Sequence, residues 1–336
     1  MATLGPRLIG LGFAVPANVR TNDDPIFDYL KGHDKGNNKL FTGFCDRHVL
    51  VPGEDLMTIM VPAAQEAMAD AGLFASDIDM LLGTGSISPW STPNELARVH
   101  QILGLPDHCR VIPLNCEFSN FNAGVVFADS LIRSGRARNV LVVVGTNWTR
   151  HVSYETPQSI SAGDGAGAAV IGLSSDESRW ALADDHSITQ TKFFGSMFMA
   201  GENVVPIPPQ SGPLFSNPFF QITALGLSET YKIFGVKTAP EAVVQLLARN
   251  GLKGSDVTLT GHQSSSVLVD NWVKVIQPAD LLTTIQNFAN MTAASIPVNL
   301  AWAPANHPVT TDYLVCLALG DDAHADAMLL RRGPVE

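Results

Sequence analysis

Apolar positions fall along this chain in two rhythms. Residues 139–145, Asn-Val-Leu-Val-Val-Val-Gly, form an unbroken β-branched run of the kind found in strands buried on both faces. Arg7–Gly12 and Met80–Thr84 read as strands, and Arg110–Leu114 is a shorter apolar run. Between them the spacing turns helical over Asn94–Leu103 and from about Asn120 to Ser134, where Gly135 stops it. Gly163-Asp-Gly-Ala-Gly-Ala-Ala169 leads into a strand at Val170-Ile171, and Tyr313–Leu319 and Ala327–Leu330 are strands near the end. Helices alternating with strands imply an α/β protein.

One pattern occurs twice. Residues 63–86 and 242–264 each read as an amphipathic helix, a Gly at its C-terminus, a short loop with an acidic residue, and a strand ending in small polar residues. Gly72-Leu73 and Ser76-Asp77 recur as Gly251-Leu252 and Ser255-Asp256. Glycine at a helix end adopts the left-handed cap conformation without a steric penalty. The spacing is too long for a solenoid and implies two similar α/β halves. The expected organisation is a first half over 1–172, a crossover over 173–216 and a second half over 217–336. The crossover is rich in Pro, Ser and Gly and is expected to supply a lid or the wall of a substrate channel.

Composition narrows the function classes. The 336 residues are 46% hydrophobic and 16% charged, with a mean hydropathy of +0.14, which excludes a disordered chain. A net charge of −11 argues against a generally basic nucleic-acid surface. No run approaches the ~20 apolar residues that span a bilayer, and the N-terminus lacks a signal-peptide pattern, so a cytoplasmic protein is expected. The four cysteines, Cys45, Cys109, Cys116 and Cys316, are scattered without a CxxC pair. Neither a disulfide framework nor a zinc site is expected.

The glycine motif at 163–167 lacks the Lys-Ser/Thr of a phosphate-binding loop and precedes a strand rather than a helix. Its glycines read as sites of tight backbone packing, and a nucleotide-dependent dehydrogenase lacks its sequence context. His262 lies at the end of a predicted strand, where α/β sheets line their ligand crevice. Asn290, in Phe288-Ala-Asn-Met-Thr-Ala-Ala-Ser-Ile-Pro297, is an amide donor. A His and an Asn together can polarise a carbonyl and stabilise a developing oxyanion.

Several motifs in order carry a family resemblance over nearly the whole length. Thr42-Gly-Phe-Cys-Asp-Arg-His48 is similar to TGIRERH, and Gly163–Ala169 to GDGAGAA. His262-Gln263 resembles the start of HQAN, and Ala289–Pro297 resembles GNTSAASVP. Together they resemble the β-ketoacyl-acyl-carrier-protein synthase III family of the thiolase superfamily. The resemblance implies a duplicated βαβαβαββ fold stacked as α-β-α-β-α, which accounts for the repeat. It implies acyl transfer or condensation on thioesters of coenzyme A or a carrier protein, in fatty-acyl, polyketide or specialised-metabolite biosynthesis. No separate cofactor is implied, and the expected assembly is a homodimer, or a heterodimer with a related chain.

The family's nucleophilic Cys lies in a strand-to-helix turn typified by DLNAACSGF. Pro113-Leu-Asn-Cys-Glu-Phe-Ser-Asn-Phe121 matches it without a gap, which puts Phe118 in the cysteine's place. A phenyl ring cannot be acylated. The family's Gly-rich oxyanion loop reads Gly320-Asp-Asp-Ala323, its second motif Asn becomes Ser265, a carrier-contacting Arg falls at Val267, and the adenine-stacking Trp falls near Asn37. Three routes follow. Cys116 shares a face with Phe118 if the approach to the turn is extended. Ser119 sits at the helix start, where His262 can serve as its base. In the third route no acyl-enzyme forms, and His262 and Asn290 hold a thioester carbonyl while a malonyl group decarboxylates. A different class of function, a catalytically silent partner subunit or acyl-carrier binder, is consistent with Phe118 and the two acids at 321 and 322.

Overall fold

The computed structural model describes residues 4–34, 40–89, 92–200 and 218–334; Asn37 lies outside the described residues. The first half runs β1 (Gly5–Ala14), α1 (Met57–Asp70), β2 (Met80–Ser86), α2 (Leu96–Leu103), β3 (Arg110–Pro113), α3 (Asn120–Arg133), β4 (Asn139–Thr146) and β5 (Gly165–Ser174). The second runs β6 (Ala181–Thr189), α4 (Ala239–Arg249), β7 (Val257–Gly261), α5 (Ser266–Ile276), β8 (Asp280–Leu281), α6 (Ser295–Asn306), β9 (Tyr313–Leu319) and β10 (His324–Arg331). The sheet orders are β3-β2-β4-β5-β1 and β8-β7-β9-β10-β6. Each sheet is parallel across its first three strands and antiparallel across the rest. Every strand of one sheet therefore has its counterpart in the other.

The local repeat is equally close. Gly72 and Gly251 both end their helices in the left-handed region, at φ 66° and 68°. Each is followed by a short 3₁₀ turn, in which Asp77 accepts the Phe74 N–H at 2.8 Å and Asp256 accepts the Lys253 N–H at 2.7 Å. A strand follows in both copies, from Met80 and from Val257.

Burial explains the layering. Helices α1 and α2 cover one face of the first sheet through Met60, Ala64, Ala67 and Leu96. Helices α4 and α5 cover the far face of the second through Val243, Leu246, Leu268 and Trp272. The inner faces of both sheets share one core with α3 and α6, through Phe121, Val125, Ile296 and Leu300. The result is the α-β-α-β-α stack. Every residue from Phe288 to Leu300 is buried, so the approach to α6 is fixed on all sides.

Two expectations need correction. The segment 173–216 is not only a crossover: residues 181–189 form β6, an edge strand of the second sheet. One of its faces meets solvent, so its burial alternates along Ala-Leu-Ala-Asp-Asp-His-Ser-Ile-Thr and the apolar signal is diluted. The glycines at 165 and 167 lie within β5 rather than ahead of it. A Cβ on Gly167 would stand 2.6 Å from Cβ of Pro297, so glycine here lets α6 lie against the strand. Among the described residues no helix is long and apolar enough to cross a membrane.

The duplication makes a quantitative prediction. A Cβ on Gly72 or Gly251 would meet nothing within 4 Å, so replacement by Ala costs only left-handed strain. Gly72→Ala and Gly251→Ala should each lower stability by about 1–2 kcal/mol. Urea unfolding checks this, and clearly unequal losses would contradict the local equivalence.

Candidate active site

Three chain segments converge on a cavity of about 450 Å³. The first is the end of β7, which delivers His262. Its backbone N–H donates to the Leu317 carbonyl of the neighbouring strand at 2.9 Å, and its side chain is buried. The second is the turn ahead of α6, which carries Asn290. Asn290 is clamped through its backbone: its N–H donates to Ser161, and its carbonyl accepts from Gly163 N–H and from Trp148 Nε1 at 2.7 Å. Its side-chain Oδ1 accepts the Thr292 N–H at 2.9 Å, which turns the amide NH₂ group into the available donor. His262 and Asn290 both line the cavity.

Gln263 ties these segments together. Its Nε2 donates to the Ala289 carbonyl at 2.9 Å, while its Oε1 accepts from Thr283 Oγ1 at 2.7 Å and Thr284 N–H at 2.8 Å. The buried Asn299 extends the network by donating to Thr260 Oγ1 and Gln263 Oε1. Ser265 caps α5, its hydroxyl accepting the Leu268 N–H at 3.2 Å. Val267, on the first turn of that helix, is exposed and uncharged.

The third segment is the turn before α3. The Phe118 ring stacks on the His262 imidazole, with centroids 4.9 Å apart and planes inclined by 9°. Phe118 lines the cavity, whereas Cys116 and Ser119 are absent from its wall. The approach to the turn is not extended: Cys116 has φ −114° and ψ 30°, and Glu117 has φ 50°. This removes the alternation that would have put Cys116 beside Phe118. Burial, followed by Asp326, Asp322 and Glu117, pushes the Cys116 thiol above its ordinary pKa, which disfavours a thiolate. Ser119 is buried, and its partner is His324 rather than His262. Ser119 Oγ lies 2.7 Å from His324 Nε2 and 2.6 Å from the Cys116 carbonyl, while His324 Nδ1 lies 2.5 Å from Asp322 Oδ1. Sequence reasoning missed this pairing, because a contact spanning some two hundred residues leaves no local signal.

Gly320 and Asp321 complete the polar end of the cavity. Gly320 N–H donates to the His324 carbonyl at 2.9 Å, and a Cβ on Gly320 would fall 2.1 Å from His324 Cε1. The remaining wall is mainly apolar. It includes Trp148, from the short turn after β4, Met197 and Phe220 from a hairpin (Met197–Ala200 with Phe219–Ile222), and Leu227 and Phe234 from the π-helical segment Gly226–Thr238.

A family model described as 3-oxoacyl-[acyl-carrier-protein (ACP)] synthase III matches residues 114–190. The β-ketoacyl-[acyl-carrier-protein] synthase III of Rhodospirillum rubrum is 26% identical over 317 residues, covering 92% of this chain and 94% of that one. The enzyme of the same name from Granulibacter bethesdensis is 27% identical over 331 residues, covering 96% and 98%. The solved 3-oxoacyl-[acyl-carrier-protein] synthase III of Aquifex aeolicus superposes with a TM-score of 0.82 at 24% identity, covering 97% of this chain and all of that one. This chain is ketosynthase III-like. Similar architectures include a priming β-ketosynthase of the R1128 polyketide pathway (TM-score 0.81, 20% identity, covering 98% and 97%). They also include Xanthomonas campestris OleA with bound lauric acid and lauroyl-CoA (TM-score 0.81, 17% identity, covering 98% and 100%).

The electrostatics of the cavity separate two of its titratable groups, His262 and Asp321. Burial lowers the pKa of His262 to about 4, against a weaker opposing pull from the Thr292 backbone. At neutral pH the imidazole is therefore uncharged, with one N–H to donate. Burial, then Glu117 and Asp322, pushes Asp321 up to about 8. The two groups act oppositely on stability. Below the unfolded pKa of His (about 6.5) the unfolded chain binds a proton that folded His262 refuses, so stability is lost as pH falls from there towards 4. Below about 8 folded Asp321 holds a proton that the unfolded chain does not, so its contribution rises as pH falls. Comparison of the parent with His262→Gln isolates the first effect. The parent should lose on the order of 3 kcal/mol relative to the variant between pH 7 and 4 in chemical denaturation. Parallel stability profiles would show that His262 is not a buried neutral ring.

Proposed function

We propose that this chain is an acyl-thioester enzyme, a ketosynthase III-like acyltransferase or condensing enzyme of fatty-acyl, polyketide or specialised-metabolite biosynthesis. The observation that carries the reading is the convergence of the neutral His262 and the Asn290 amide on one largely apolar cavity. Two donors aimed at one thioester oxygen stabilise the negative charge that gathers there in the transition state. The apolar wall suits the acyl chain. The names of the relatives, which are synthases of acyl-carrier-protein thioesters, support the same substrate class.

In this reading Phe118 occupies the place of the family's nucleophile, and the reaction proceeds without an acyl group on that residue. Loss of carbon dioxide from a malonyl-type thioester needs no nucleophile, because the charge it creates lies on the oxygen held by His262 and Asn290. We therefore include a malonyl-type thioester, on coenzyme A or a carrier protein, among the substrates. A cytoplasmic location and a homodimer, or a heterodimer with a related chain, belong to the same proposal. The Phe118–His262 stack also favours a second reading, a silent partner subunit or acyl-carrier binder, since the ring covers one face of the histidine.

Alanine substitution tests the assignment. His262→Ala and Asn290→Ala should each reduce carbon dioxide release or acyl transfer by about 10²–10³, the usual cost of one oxyanion donor, while far-ultraviolet circular dichroism stays parental. Full activity in the double variant would overturn the site. A parent that turns over no thioester in a broad acyl panel would select the silent-partner reading.

A further inference from the structure

Asp321 lines the cavity, and its position follows from sheet register. Strands β7 and β9 are parallel neighbours, with Gly261 opposite Leu317. The residues just past each strand, His262 on one and Gly320-Asp321 on the other, therefore reach the same end of the sheet and line the same cavity. The turn is braced from behind. The Glu117 carboxylate accepts the backbone N–H groups of Asp321 and Asp322, the Ala323 N–H donates to the Gly320 carbonyl at 3.0 Å, and the Asp322 carboxylate is engaged by His324. These bonds fix the backbone and occupy the neighbouring acids. Among the described residues none of them uses the side chain of Asp321.

The surroundings suit an acid. With its pKa near 8, Asp321 is mostly a neutral carboxylic acid at pH 7. Among the described residues no Lys or Arg lines the cavity. A malonyl carboxylate entering it loses hydration without gaining a cation, and releasing carbon dioxide relieves that cost. A neutral Asp321 adds no charge repulsion to its entry, as an ionised one would.

Resting on the reading of this cavity as a site for malonyl-type thioesters, we infer that Asp321 is the catalytic proton donor to the enolate formed there. The bond between the α-carbon and the carboxylate breaks, carbon dioxide leaves, and the electron pair moves into an enolate whose oxygen is held by His262 and Asn290. The enolate carbon then takes the proton of Asp321. The products are a saturated acyl thioester and an Asp321 carboxylate, which regains its proton from water at the cavity mouth. The proton arrives from one wall only, so one face of the enolate is protonated.

That facial selectivity is the test. The full chain is incubated with the α-methylmalonyl thioester of coenzyme A in deuterium oxide, and the configuration of the α-deuteriopropionyl product is measured alongside carbon dioxide release. The parent should give one configuration. Asp321→Asn is isosteric with the neutral acid and keeps the turn, and its product is analysed for configuration per carbon dioxide released, so that the readout does not depend on its rate. Its product should be racemic, with deuterium delivered by solvent from both faces. Asp321→Glu, which restores an acid, should recover a bias toward the parental configuration. A racemic parental product, or a single configuration from folded Asp321→Asn, overturns the assignment while leaving the decarboxylating site in place. No carbon dioxide from the parent with malonyl or α-methylmalonyl thioesters removes the decarboxylation reading and Asp321's role with it.

Discussion

The site depends on one buried amide. Gln263 follows His262 in sequence, and its side chain holds the carbonyl of Ala289, the residue before Asn290. The two donors of the proposed site, His262 and Asn290, lie on different chain segments, and this bridge fixes their relative position. The amide is itself held by Thr283, Thr284 and Asn299, in a largely buried region. A buried polar network of this kind is rigid when complete and costly when broken, since each partner left alone loses roughly 1–3 kcal/mol. The duplication supplies the frame. Both halves press a helix into the shared central layer, which places the turns ahead of α3 and α6 beside each other and gives the cavity its floor.

On that floor, Phe118 and His262 form a flat stack. The aromatic face shields the imidazole from water, consistent with the burial that keeps the ring neutral far below its ordinary pKa. A neutral ring donates one hydrogen bond and carries no charge for a substrate carboxylate to pair with. The same burial raises Asp321 and disfavours ionisation of Cys116. The cavity thus holds neutral donors and a neutral acid, and Cys116 and Ser119 stand outside its wall. This arrangement suits stabilising charge that appears during a reaction rather than forming a covalent bond to the protein.

Much of the frame was legible in the sequence. The strand runs at 80–84, 139–145 and 313–319 all lie within observed strands, because strands covered on both faces are written as continuous apolar runs. The paired Gly-Leu and Ser-Asp signals marked the duplication because cap geometry is local. His262 and Asn290 stood out as residues able to polarise a carbonyl, and both line the cavity. What stayed hidden was non-local. The apolar wall from the hairpin and the π-helical segment has no periodicity that separates it from a loop. Strand β6 is half solvated, so its alternation passed for polar crossover. The left-handed Glu117 rotates Cys116 and Ser119 away from the direction an extended chain would give them, and His324 becomes the partner of Ser119 only through tertiary folding.

The central claim is chemistry on a thioester without an acylated residue. Intact-protein mass spectrometry during turnover tests it most directly. The chain is mixed with malonyl and simple acyl thioesters, sampled while product accumulates and quenched in acid. The account predicts steady product formation with the protein mass unchanged at every time point. A stable mass increase equal to the acyl group, arising at the rate of turnover and mapping to Ser119 or Cys116, would contradict it.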